Sequence, residues 1–188
     1  MRYKREIELA FDLQQRQNKQ PPQISLRYIA TPSPPPPEKE FFLRHIRTHL
    51  LPSLSTTASP RRLLTTVAGA WDKAAAVTEQ IRRLNLSFPT TVAAKEGGEG
   101  VGVTASVLLV PLQTRVEVVL SLAVEEEEVV VTPEARVVYG EGFNAGKMGE
   151  FLRGRVGGVV SGGGGAAGWD EAVLELYGML AAKGRRRE

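Results

Sequence analysis

Tyr3, Arg5, Ile7, Leu9 and Phe11 alternate with Lys4, Glu6, Glu8 and Ala10, and a second extended run covers Ile24 to Ile29. A period of two sends successive side chains to opposite faces, so two strands are predicted within residues 1–30. The Gln-rich link Gln14–Pro22 is polar, and the run Pro32–Pro37, short of backbone donors, reads as an extended connector. Beyond it the period changes. From Glu38, the positions Phe41, Phe42, Leu43, Ile46 and Leu50 recur at helical spacing, with Pro52 as the expected stop.

The second half opens on Ser59 as an N-cap and Pro60 at the first helical position. Leu63, Leu64, Val67, Trp71, Ala74, Val77, Ile81 and Leu84 then step by three or four, which predicts one long amphipathic helix to about residue 86, closed by Phe88-Pro89. Runs rich in β-branched residues follow at Thr90–Ala94, Val101–Val110, Thr114–Val124 and Val129–Tyr139, separated by Gly97-Gly98, Pro111 and the Glu125–Glu128 run. Short links between four consecutive strands imply an antiparallel meander. Two more helices are expected, at Ala145–Val156 and Trp169–Lys183, joined by a Gly-rich loop over 157–168. The fold class is therefore α+β, a sheet with helices on one face, preceded by a smaller segment at 1–52; the main domain spans 59–184.

Composition removes several chemistries. The 188 residues hold no cysteine, so there is no disulfide, no thiolate zinc site and no cysteine nucleophile. No run approaches the roughly 20 apolar residues that span a bilayer, and no apolar stretch of signal-peptide type opens the chain, which reads as soluble and intracellular. The net charge is only +3, and part of the basic excess is the tip Lys183, Arg185, Arg186 and Arg187. A solvated tip differs from the stripe of cations that neutralises several phosphates, so no direct nucleic-acid contact is expected.

Three local patterns could carry chemistry. His45 and His49 share a helix face, but Ile46, Arg47 and Thr48 between them give no HExxH, and Arg44 and Arg47 repel a cation. Gly140, Gly142 and Gly146 come close to a dinucleotide fingerprint, yet no further strand continues a parallel βαβ unit, so a backbone turn is expected. Glu125–Glu128 lacks the alternating ligands of a calcium loop and reads as a solvated turn. No cofactor or metal is called for.

A resemblance is carried by longer stretches. Tyr3-Lys4-Arg5-Glu6-Ile7-Glu8-Leu9-Ala10-Phe11-Asp12 with Glu38-Lys39-Glu40-Phe41-Phe42-Leu43, then Trp71-Asp72 and Glu79-Gln80-Ile81-Arg82-Arg83-Leu84 with Pro89-Thr90, form the first part of it. Val137-Val138-Tyr139-Gly140-Glu141, Lys147-Met148-Gly149-Glu150-Phe151-Leu152 and Trp169-Asp170-Glu171-Ala172-Val173 complete it. In order, these resemble the C-terminal tandem RWD region of the fungal kinetochore scaffold of the Knl/blinkin (Spc-type) family, with the first repeat matched only from its middle onward. The resemblance implies an RWD domain at 59–184 after a partial repeat at 1–52. It implies docking onto a subunit tail of the MIND inner-kinetochore assembly, with other outer-kinetochore subunits as further partners, in the nucleus and in chromosome segregation. RWD domains share a fold with ubiquitin-conjugating enzymes, whose thiolate this chain lacks, so a non-catalytic scaffold is expected. An RWD adaptor of another pathway, or a nucleotide binder using the Gly140–Gly146 turn, is the alternative. Docking would draw on bulky residues around an apolar cleft, with Tyr28, Phe41, Phe42, Phe143 and Phe151 as the partner-binding set, or on pairing to a free strand edge.

Overall fold

The computed structural model describes residues 2–12, 23–31, 34–55, 59–95, 102–112, 114–125, 128–160 and 168–185. The links expected at Gln14–Pro22 and Gly97-Gly98, and positions 161–167 of the Gly-rich loop, lie outside them. Two compact units divide between Ala75 and Ala76.

In the first unit β1 (Arg2–Tyr3), β2 (Ile7–Asp12) and β3 (Gln23–Tyr28) form an antiparallel sheet in that order. The alternation expected along the first run holds in β2, where Ile7 and Leu9 are buried beside the exposed Ala10. The run is not one strand, however. Lys4 and Arg5 adopt φ of 48° and 57°, and the Glu6 N–H donates to the Tyr3 carbonyl at 3.0 Å, so the chain reverses between β1 and β2. Two successive left-handed residues make the primed geometry that suits a hairpin's twist, here without the glycine or asparagine that usually announces it.

Helix α1 (Pro37–His45) follows, then a π-helical turn at Ile46–Leu50 and a short α2 (Leu51–Ser55). This departs from the sequence reading at both ends. Pro37 begins the helix rather than ending the connector, since a first-turn residue needs no N–H. Pro52 does not stop it: the wider turn carries the chain past the proline, which then sits in the first turn of α2. Arg47, within the wide turn, donates from Nε (3.2 Å) and Nη2 (3.1 Å) to the Leu26 carbonyl of β3.

Helix α3 (Pro60–Ser87) runs as its caps predict, with the Arg62 N–H reaching Ser59 Oγ at 3.4 Å. The boundary between units falls inside it. Leu63, Val67, Trp71 and Ala74 of its apolar stripe are buried in the first unit, and Val77, Ile81 and Leu84 in the second.

The second unit is α+β. Strands β4 (Thr90–Lys95), β5 (Gly102–Leu109), β6 (Arg115–Glu125) and β7 (Glu128–Tyr139) make the expected antiparallel meander, with Val107 opposite Val118 and Val118 opposite Ala135. Val103, Ala105, Val107 and Leu109 of β5 and Val116, Val118, Leu120 and Leu122 of β6 are buried at alternate positions. Helix α4 (Ala145–Arg155) packs on β7, and α5 (Trp169–Arg185) on α4. Trp169, Val173 and Leu176 anchor α5, and its first turn is tied to α3 by the Trp169 N–H on Gln80 Oε1 at 2.9 Å. The loop expected over 157–168 contains one unforeseen element: β8 (Gly158–Val159) pairs with Val130 and Val131, giving the sheet a fifth strand.

Candidate functional site

Two features of the first unit stand out, one polar and one apolar. The polar one is built on the β1–β2 turn. Trp71 Nε1 donates to Glu6 Oε2 at 2.9 Å while Lys39 Nζ holds Glu6 Oε1 at 2.7 Å and lies 5.9 Å from the Trp71 ring centre. Burial works to raise the Glu6 pKa, but the hydrogen bonds from Lys39 and Trp71 outweigh it, and the carboxyl sits below its ordinary value. Beside it, Asp72 takes the Tyr3 hydroxyl at 3.0 Å and Lys4 Nζ at 2.7 Å; the Lys4 hydrogen bond leads in holding its pKa down. Both carboxylates are satisfied, Glu6 by donors from α1 and α3 and Asp72 by donors from β1 and the turn. The cluster fixes a strained hairpin rather than offering an acid or base to a substrate.

The apolar feature is a groove of about 240 Å³. Arg2, Tyr3, Ile7 and Leu9 line it from the hairpin, and Leu64, Thr65, Val67 and Ala68 from α3. Ile7, Leu9 and Val67 form a buried floor, Tyr3, Leu64 and Ala68 are half-buried walls, and Arg2 and Thr65 are exposed at the rim. Its volume lies below the roughly 300–1,000 Å³ of sites that enclose a small molecule and suits one or two apolar side chains. Arg61, exposed in α3, stands one helical turn before Leu64 and Thr65.

The residues expected to bind a partner do not gather at this groove. Phe41 and Phe42 lie in the core of the first unit, 3% and 0% exposed, and their rings meet edge to face at 5.3 Å. Tyr28 is half-buried, its ring 6.1 Å from Trp71. In the second unit Phe143 and Phe151 are half-buried, with Lys183 Nζ at 5.3 Å and the Arg155 guanidinium at 5.5 Å from their ring centres. Phe41 and Phe42 are thus packing residues, and the other three are separate positions. Leu64 was visible in the sequence as part of the α3 stripe. The doubled Leu63-Leu64 widens that stripe beyond what one packed face requires, and this was the available sign of the groove.

The remaining patterns resolve locally. His45 is buried and His49 exposed, their rings 5.6 Å apart, and no cluster of three or more His, Asp or Glu suited to a metal occurs among the described residues. Gly140 (φ +104°) and Gly142 (φ +79°) turn the chain from β7 toward α4, where Asn144 Oδ1 accepts the Lys147 N–H at 3.0 Å and so caps the helix from within. The sheet beside this turn is antiparallel, unlike the parallel βαβ setting of a dinucleotide fingerprint. No described helix is long and apolar enough to cross a membrane.

Comparison with family models, with curated proteins and with solved structures returned no match for the chain.

Proposed function

We propose that the chain is a non-catalytic docking module of the RWD type, acting as the C-terminal part of a fungal Knl/blinkin-type kinetochore scaffold and gripping a subunit tail of the MIND assembly during chromosome segregation. The groove between the β1–β2 hairpin and α3 carries this reading. It offers an apolar floor for an inserted side chain, and Arg2 at its rim, paired with Glu8 Oε1 at 3.1 Å but exposed to solvent, favours a tail whose anchor is flanked by acidic residues that can share it. The first unit as a whole supports the same partner chemistry, with 12 Lys and Arg against 6 Asp and Glu. The sequence likeness supports the pathway, and the groove supports docking at this face.

The test is a calorimetric titration of the chain with the MIND assembly, intact and lacking the scaffold-binding tail, repeated with Thr65→Glu. Thr65 is exposed, so the variant keeps its fold while putting a negative charge at the rim. Tail-dependent binding weakened at least tenfold by Thr65→Glu supports the reading. Binding that ignores the substitution moves the contact away from the groove, and a folded chain that binds neither form of the assembly overturns the proposal.

A further inference from the structure

Four hydroxyl residues precede a proline: Thr31, Ser33, Ser59 and Thr132. Thr132 lies within β7, its backbone opposite Ser121 in the sheet, and cannot be drawn out without opening the meander. Thr31 and Ser33 are followed by serine and prolines, without a basic residue in the five positions after either. Ser59 differs in sequence and in placement. Arg61 and Arg62 follow it at the second and third positions, and it stands exposed at the start of α3.

We propose that Ser59 is a phosphorylation site for a proline-directed serine/threonine kinase. Such enzymes accept a hydroxyl followed by proline, whose missing N–H needs no partner in the kinase cleft, and they select basic residues just beyond it through acidic pockets. The acceptor sequence Ser59-Pro60-Arg61-Arg62 carries the assignment; the helix end decides what the modification does. A kinase binds its acceptor extended, so the first turn of α3 must open. At Ser59 itself the hold is light, the Arg62 N–H to Ser59 Oγ contact being long at 3.4 Å and the Leu63 N–H reaching the Ser59 carbonyl at 3.1 Å. The Thr65 and Thr66 hydroxyls on the Arg61 and Arg62 carbonyls and the buried Leu63 hold the next residues, so opening stops at Arg62. Terminal turns open at small cost.

In the transfer, Ser59 Oγ attacks the γ-phosphorus of ATP and the Oγ–P bond forms. The bond from that phosphorus to the β–γ bridging oxygen breaks, ADP leaves with the electron pair, and the hydroxyl proton passes to the kinase base and on to water. The product is a phosphoserine at the N-cap. Its oxygens then face the first N–H groups of α3 and the cations of Arg61 and Arg62, where negative charge favours the helix. Phosphorylation therefore tightens the turn that must fray for the kinase to act.

The experiment treats the full chain with a purified cyclin-dependent-type kinase and Mg-ATP, maps the product by fragmentation mass spectrometry and measures amide hydrogen exchange. The expected result is a single phosphate on Ser59, absent in Ser59→Ala, and added more slowly to the Arg61→Ala/Arg62→Ala variant. Exchange over residues 61–63 should slow about two- to fivefold after modification. Phosphate found on Thr31 or Ser33 with Ser59 untouched, or no incorporation into a folded chain, overturns the site. Faster exchange over 61–63 in the phosphorylated chain overturns the cap.

Discussion

Lys4 and Arg5 hold a left-handed backbone that costs a side-chain-bearing residue about 1–2 kcal/mol, and the hairpin they turn carries half of the groove. Lys4 is held by Asp72, whereas Arg5 is exposed. Glycine at position 5 removes the steric cost and adds unfolded-chain entropy, so Arg5→Gly should stabilise the first unit by about 0.5–1 kcal/mol in urea unfolding. Glu6 acts in the opposite sense. Its folded-state pKa lies below its ordinary value, so its contribution is present above the unfolded value near 4.5 and is lost as pH falls through the folded value. Glu6→Gln should cost about 1–2 kcal/mol near neutral pH, where two charge-assisted bonds are weakened, and the gap to wild type should close in strong acid. Urea titrations at several pH values check this; a gap that persists in acid would show that the carboxylate's ionisation is not what holds the turn. Gly140 is a third case, because a Cβ there would meet Thr114 at 3.0 Å on a backbone at φ +104°. Gly140→Ala should cost about 1–3 kcal/mol by thermal unfolding of the second unit.

At the scale of elements, legibility followed the range of the signal. The bounds of α3 were readable because Ser59, Pro60 and Phe88-Pro89 act within a few residues, and β5 to β7 because their β-branched runs are long. The β1–β2 turn was not readable, since Lys4 and Arg5 give no turn signal and their conformation depends on partners as distant as Asp72. Nor was β8, where Gly158-Val159 becomes a strand only through the edge that β7 presents. The groove required two elements far apart in sequence, so a single stripe could hint at it but not close it. The π-helical turn belongs with these. It sets Arg47 to grip the Leu26 carbonyl, which blunts the β3 edge with two donors from one planar group. Arg47→Ala should destabilise the first unit by about 1–2 kcal/mol, and Arg47→Lys should recover only part of this because an ammonium cannot reproduce the fork. Chemical denaturation of the two variants side by side tests it, and full recovery by lysine would reduce the contact to simple charge.

Over the whole molecule the modest net charge of +3 conceals a division. The first unit has 12 basic and 6 acidic residues, a formal +6, whereas the second has 12 basic and 15 acidic, a formal −3. A partner that senses only the total would meet a nearly neutral protein, but a Debye length of about 10 Å at 0.1 M salt confines the field of each charge to its own neighbourhood. An acidic tail approaching the groove therefore meets the basic unit's field, which speeds encounter more than it slows release. If docking proceeds as proposed, affinity for the tail should fall about tenfold as salt rises from about 0.05 to about 0.5 M, most of it through a slower association rate. Stopped-flow measurements across that range separate the two rates. A loss carried by the dissociation rate would place the charges in direct contact with the tail at the rim, where Arg2 stands. A flat response would leave the apolar floor of Ile7, Leu9 and Val67 as the source of affinity, and the charge division would then need a separate cause.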